Sequence, residues 1–167
     1  MPTIPKVPVI EQIALAIATE LAKISTTGSP ADLVGTAGVV RRNLSGDNYT
    51  PANTLIVLDQ GDTIPLSEEQ QALTLCEWNT TFAAIYLIAQ DKASTTPIDT
   101  TRNAAAAAIL DHLLKPANAQ WGGLAAGGTH QGEVVGFDTI GHKGFDGVTV
   151  AVQVLWRHVP GDACTAG

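Results

Sequence analysis

The sequence predicts an α+β fold: an antiparallel or mixed β-sheet with two α-helices packed on one face. Three observations lead there. Two stretches carry apolar residues at helical spacing, one at the start of the chain and one in its middle. Two long segments, residues 72–90 and 148–158, alternate at the period of a strand. The resulting order is α-β-β-β-α-β-β, which suits strands joined by turns with the helices gathered on one side.

Ile10, Ile13, Ile17, Leu21 and Ile24 step by three or four, so they share one helix face, while Glu11, Gln12, Thr19, Glu20 and Lys23 fall elsewhere. Glu11 stands in the first turn, where the helix dipole favours a carboxylate. Residues 25–30, Ser-Thr-Thr-Gly-Ser-Pro, end the helix. A short strand is expected at 39–42, closed by turn formers at 43–48. Thr54-Leu-Ile-Val-Leu58 is a second strand, bounded by Pro51 and by Asp59-Gln-Gly-Asp62; residues 63–71 read as a loop.

In the long third segment the even positions Cys76, Trp78, Thr80, Phe82, Ala84, Tyr86 and Ile88 make one face. The odd positions change from Glu77, Asn79 and Thr81 to Ala83, Ile85 and Leu87. Such a strand runs from a wet rim into a covered centre. After a connector at 91–97, Asp99, Thr100 or Thr101 is expected to cap the second helix. That helix continues through five alanines to Ile109, Leu110, Leu113 and Leu114, with Asp111 placed to pair with Lys115, and Pro116 stops it. Alanine favours helix and lets a backbone lie close to a sheet.

Residues 117–136 are glycine-rich and read as loop. A strand is expected at 134–140, a turn at 141–147, and a closing strand at 148–158. There Val148, Val150, Val152, Val154 and Trp156 share one face. Pro160-Gly161 ends it. The whole chain, 1–167, is expected as one domain with its ordered core at 9–158 and a loose tail at 159–167.

Composition narrows the function. Sixteen acidic against nine basic residues give a net charge of −7, which argues against a protein that coats nucleic acid. Cys76 and Cys164 lie far apart and form neither a disulfide framework nor a zinc spacing. No apolar run approaches the roughly 18 residues of a membrane span, and the N-terminus lacks the order of a secretory signal, so a soluble cytosolic product is expected. Only 15% of residues are charged, against about 25% in an ordinary soluble domain, and a second subunit covering part of the surface would account for it.

Catalytic motifs are missing: there is no G-x-S-x-G, P-loop, G-x-G-x-x-G or H-E-x-x-H. Gly122-Gly-Leu-Ala-Ala-Gly-Gly128 lacks the Lys-Ser/Thr of a phosphate loop and reads as a flexible loop. His130, Asp138 and His142 could meet across a hairpin and hold a metal, the basis of a competing reading as a small metal-dependent enzyme. Cys76, beside Trp78 on an alternating strand, reads as core rather than as a nucleophile. Arg41 and Arg42 form the lone adjacent basic pair, and on a strand they point to opposite faces. Trp121, between Gln120 and two glycines, is the expected partner contact; Trp78 and Trp156 are expected in the core.

The layout resembles a known family. An N-terminal amphipathic helix, a short strand at 39–42, the strand Leu55-Ile-Val-Leu-Asp59, a long strand opening at Trp78, a Thr/Asp-started helix, a Gly-rich loop and the closing strand Val148-Thr-Val-Ala-Val-Gln-Val-Leu-Trp-Arg-His158 are similar to the tail terminator, or tail completion, proteins of long-tailed bacteriophages. The family's terminal aromatic-Arg pair is matched by Trp156-Arg157, where Tyr is the usual aromatic. The resemblance covers residues 9–158 and implies a hexameric ring at the head-proximal end of a virion tail, assembled in the host cytoplasm. Such a ring caps the tail tube, ends its elongation and joins the head through a head-completion or neck protein. Genomic DNA would pass through its lumen unbound, as acidic walls repel phosphate. It implies no cofactor, no membrane and no catalysis. Arg41, Arg42, Trp121 and Arg157 are the expected contacts between copies or with partners. The neighbouring reading is another neck or tail-tube subunit.

Overall fold

The first helix, α1 (Val9–Leu21), starts after Pro8, whose φ of −54° is already helical and whose carbonyl accepts from the Gln12 amide at 3.0 Å. A computed structural model of the chain describes residues 6–25, 39–41, 54–65, 76–89, 97–137 and 145–167. Val9, Ile13, Ala14, Ile17 and Leu21 of α1, with Ile24 of the following 3₁₀ turn, are 0–1% exposed; of the predicted face only Ile10 is half-buried, and Glu20, expected off that face, is buried as well. The second helix, α2 (Ile98–Leu113), starts after Pro97 without a side-chain cap, earlier than the expected Asp99–Thr101 caps. Asp99 instead lies in the first turn and pairs with Arg102 at 3.2 Å. Ala105 and Ala108 are 1% and 2% exposed, which brings the α2 backbone close to the sheet.

The sheet comprises β1 (Val39–Arg41), β2 (Thr54–Pro65), β3 (Cys76–Ala89), β4 (Gly128–Phe137), β5 (Phe145–Val159) and β6 (Asp162–Ala166). Its order is β1-β2-β3-β5-β4, with β6 also on β5. β1 runs parallel to β2 and every other pairing is antiparallel. The fold is therefore the predicted α+β type. β3 and β5 form the centre in even-to-even register, Thr80 with Val154, Phe82 with Val152, Ala84 with Val150 and Tyr86 with Val148. Those side chains are all 0–3% exposed and form one core with both helices. On the opposite face Glu77, Asn79 and Thr81 are half-buried while Leu87 is buried, so β3 does pass from a wet beginning to a covered end.

Three segments correct the sequence reading. β2 does not turn at Asp59–Asp62 but continues to Pro65, taking up Gly61 and Asp62 in a bulge between Gln60 and Thr63. Side-chain polarity marks that stretch as a turn; an antiparallel ladder absorbs it as extra residues on one strand. β4 begins at Gly128, inside the expected loop, and has its own bulge between Gln131 and Val134. Gly132 makes that possible, since a Cβ there would stand 3.0 Å from the Ala151 carbonyl oxygen.

The tail is also ordered. Pro160 and Gly161 (φ +80°) make a two-residue turn that folds β6 back on β5, pairing Val159 with Asp162 and His158 with Ala166. Asp162 accepts from Lys6 Nζ at 2.8 Å and Thr165 Oγ1 at 2.9 Å, and Gln12 donates to the Cys164 carbonyl at 3.2 Å. Hydrogen bonds from Lys6, Thr165 and the Cys164 amide hold the Asp162 carboxyl down at about 2. The expected turns at 26–30 and 43–48 lie outside the described residues, as do 66–71, 91–96 and 141–144. No described helix is long and apolar enough to cross a membrane.

Candidate assembly interface

At the end of the sheet where β3 begins and β5 ends, three rings cluster, Trp78 stacking on both Trp156 and His158. Trp78 and Trp156 have centroids 6.2 Å apart, and His158 lies 5.8 Å from Trp156 and 6.4 Å from Trp78. Below them Thr80, fully buried, accepts the Trp156 indole N–H at 2.9 Å and bonds the Thr63 hydroxyl at 3.0 Å. This network gives a buried polar atom the partner that burial demands. Cys76 stands across from His158, yet no hydrogen bond joins them, and His158 Nδ1 is occupied by the Val159 carbonyl at 3.0 Å. The pair has the geometry of packing rather than of a nucleophile and its base.

On the opposite face of the same sheet end, Arg157 pairs with Glu77, its directly opposed cross-strand neighbour. Arg157, one of the expected contacts between copies or with partners, thus has a carboxylate partner in its own chain. The pair lines a cavity of about 100 Å³ with Gly127, Leu155 and Trp156. Gly127 donates its amide to the Leu155 carbonyl at 3.2 Å, and a Cβ at this position would fall 2.5 Å from the Leu155 Cβ. Gly127 thus packs directly on Leu155, an approach that only glycine allows, and the cavity lies beside that contact. A Gly-Gly doublet ahead of a strand is the sequence signal for it, and composition alone reads that doublet as flexibility.

Trp121 corrects the expectation of an exposed contact: it is 6% exposed and part of the core. Its own φ is +46°, followed by Gly122 at +71° and Gly123 at +94°. Three successive left-handed residues reverse the chain and swing the indole inward, where Nε1 donates to Thr129 Oγ1 at 2.7 Å. The glycines enter this conformation without strain; the tryptophan is held in it by burial and that hydrogen bond.

Arg41 ends β1, its backbone registered with Leu58; its side chain and all of Arg42 lie outside the described residues. So do Asp138 and His142 of the proposed metal set. His130 is exposed and its Nε2 lies 3.2 Å from the Gly127 carbonyl oxygen. Among the described residues no three His, Cys, Asp or Glu side chains gather at metal-binding distance.

Where α1 and α2 end side by side, Glu20 is 6% exposed and accepts from three groups: Lys23, Lys115 Nζ at 2.9 Å, and His112 Nδ1 at 2.9 Å. Burial by itself would raise its carboxyl pKa. The hydrogen bonds from Lys115, Lys23 and His112 outweigh burial and hold it at about 2. Lys115 therefore reaches the other helix rather than Asp111 on its own. Among the described side chains every Lys and Arg is engaged in this way with a carboxylate of the chain: Lys6, Lys23, Arg102, Lys115 and Arg157. Asp62, Asp111 and Glu133 lie exposed. The described surface is built to present acid and apolar groups, not loose cations. No protein-family model and no curated protein matches the chain.

Proposed function

We propose that the chain is the subunit of a phage tail terminator, a ring of six copies that caps the tail tube, stops its growth and offers the surface on which a head-completion or neck protein docks. The observation that carries this reading is the element order. A helix, three strands, a second helix on the same sheet face, a further strand and the long strand β5 carrying Trp156-Arg157 follow the layout that the family resemblance implies, with β6 added after it. The charge distribution supports it. With its described cations held by the chain's own carboxylates, the protein has acidic surface to spare for a lumen through which DNA slides without adhering. A rigid double-helix-backed sheet suits a ring subunit, because ring closure needs contacts held at a fixed angle.

The reading is tested by adding the purified protein to tails assembled without it. Capped tails of uniform length that join heads are expected. Tails that stay overlong and uncapped refute it, and binding at the neck without length control points to an adaptor instead.

A further inference from the structure

We propose that copies of this chain join through opposite edges of their sheets, Ile64 of one copy seating in the Gly127–Leu155 notch of the next; this rests on the ring reading above. Ile64 is 61% exposed, the most exposed large apolar side chain among the described residues. Among the described residues no strand pairs with that side of β2 beyond Ile56–Leu58, where β1 ends, and residues 60–65 are all exposed. The notch stands at the other edge of the same sheet, beside β4.

Register puts knob and hole at one level on one face. Ile64 is opposite Asn79, Asn79 opposite Leu155, and Leu155 opposite Gly128. Directly opposed residues of antiparallel strands point to the same side, so Ile64 and Leu155 share the face that the helices leave uncovered. Gly127 and Gly128 place no side chain over Leu155, which lines the cavity of about 100 Å³ together with Gly127, Trp156 and the Glu77–Arg157 pair.

Strand direction agrees. β2, β3, β5 and β4 alternate, each antiparallel to the next. A second copy laid beside the first without being turned over therefore brings its β2 antiparallel to the first copy's β4, and the alternation continues. Two different patches meeting in this way form a head-to-tail contact, which repeats around a ring. A twofold contact of β4 with β4 would leave Ile64, on the far edge, unused. The bulges at Gly61-Asp62 and Gly132-Glu133 and their exposed carboxylates blunt the two edges, which keeps dilute copies apart.

The test is the concentration dependence of self-association of the full chain, measured by sedimentation, for the wild type, Ile64→Asp and Leu155→Glu. Ile64→Asp is expected to weaken association about ten- to hundredfold, the equivalent of leaving one isoleucine unburied. The two variants mixed should give one-to-one dimers and nothing larger, since one retains the hole and the other the knob. Ile64 is exposed and its replacement leaves the core untouched, so the Ile64→Asp result decides even where Leu155→Glu fails to fold. Association of Ile64→Asp equal to wild type overturns the contact, as does a wild type that remains monomeric at every concentration. Unaffected association in a protein that still caps tails removes the contact and leaves the terminator reading standing; association that needs Ile64 in a protein that caps nothing does the reverse.

Discussion

Glu20→Gln isolates the charge that ties the two helices together. The substitution keeps the shape of the side chain and removes the negative charge from a site that is 6% exposed and bonded to Lys23, Lys115 and His112. A carboxyl moved from 4.5 to about 2 favours its ionised, folded form by about 3 kcal/mol, at roughly 1.4 kcal/mol for each unit. Lys115 and Lys23 are 43% and 58% exposed, so solvent screens them and accepts their charge when Glu20 is lost. A loss of about 2 kcal/mol at pH 7 follows. With a urea slope of about 2 kcal/mol/M, the unfolding midpoint falls by about 1 M. The pH dependence carries the distinguishing information. Because the folded-state pKa is depressed, the stabilisation is complete above the ordinary carboxyl value of 4.5 and disappears as pH falls through about 2. The gap between wild type and variant should therefore close over that interval. A gap that is already negligible at pH 7, or one that stays constant from pH 6 to pH 2.5, would refute the charge-based account.

Leu113→Ala, at a site with no exposure, should cost about 2–5 kcal/mol in urea unfolding, and near-wild-type stability would show that α2 does not close the core. Trp121→Ala should cost about 3–5 kcal/mol because the indole is buried and bonded to Thr129; a variant as stable as wild type that fails only in assembly would return Trp121 to the surface.

What the sequence alone determined is the part of the fold written in a period. The apolar residues of α1 recur at three and four, and those of β3 and β5 at two, over stretches long enough that any other conformation would split them between core and water. Their buried faces are the predicted ones, from Ile13 and Ile17 to Phe82, Val152 and Trp156. The fold class follows from the order of these elements; that Trp78 lies beside Trp156 comes from the register of β3 with β5.

Tertiary structure decided everything that depends on a partner distant in the chain. Asp59–Asp62 is locally a turn, and it became a bulge because β3 offers an unbroken ladder on its far side. Gly127 and Gly128 are locally flexible, and β5 ordered them through Leu155, whose carbonyl accepts the Gly127 amide and which pairs with Gly128. Trp121 lies beside residues that permit almost any path, so only the reversal at Gly122 and Gly123 could say that it points inward. Lys115 had a carboxylate four residues behind it and took Glu20 across 95 residues instead, because a buried carboxylate outside the reach of water gains more from a cation than an exposed one does. Ile64 and the Gly127–Leu155 notch belong to the same class: their common level is a property of register across four strands, and no local pattern contains it.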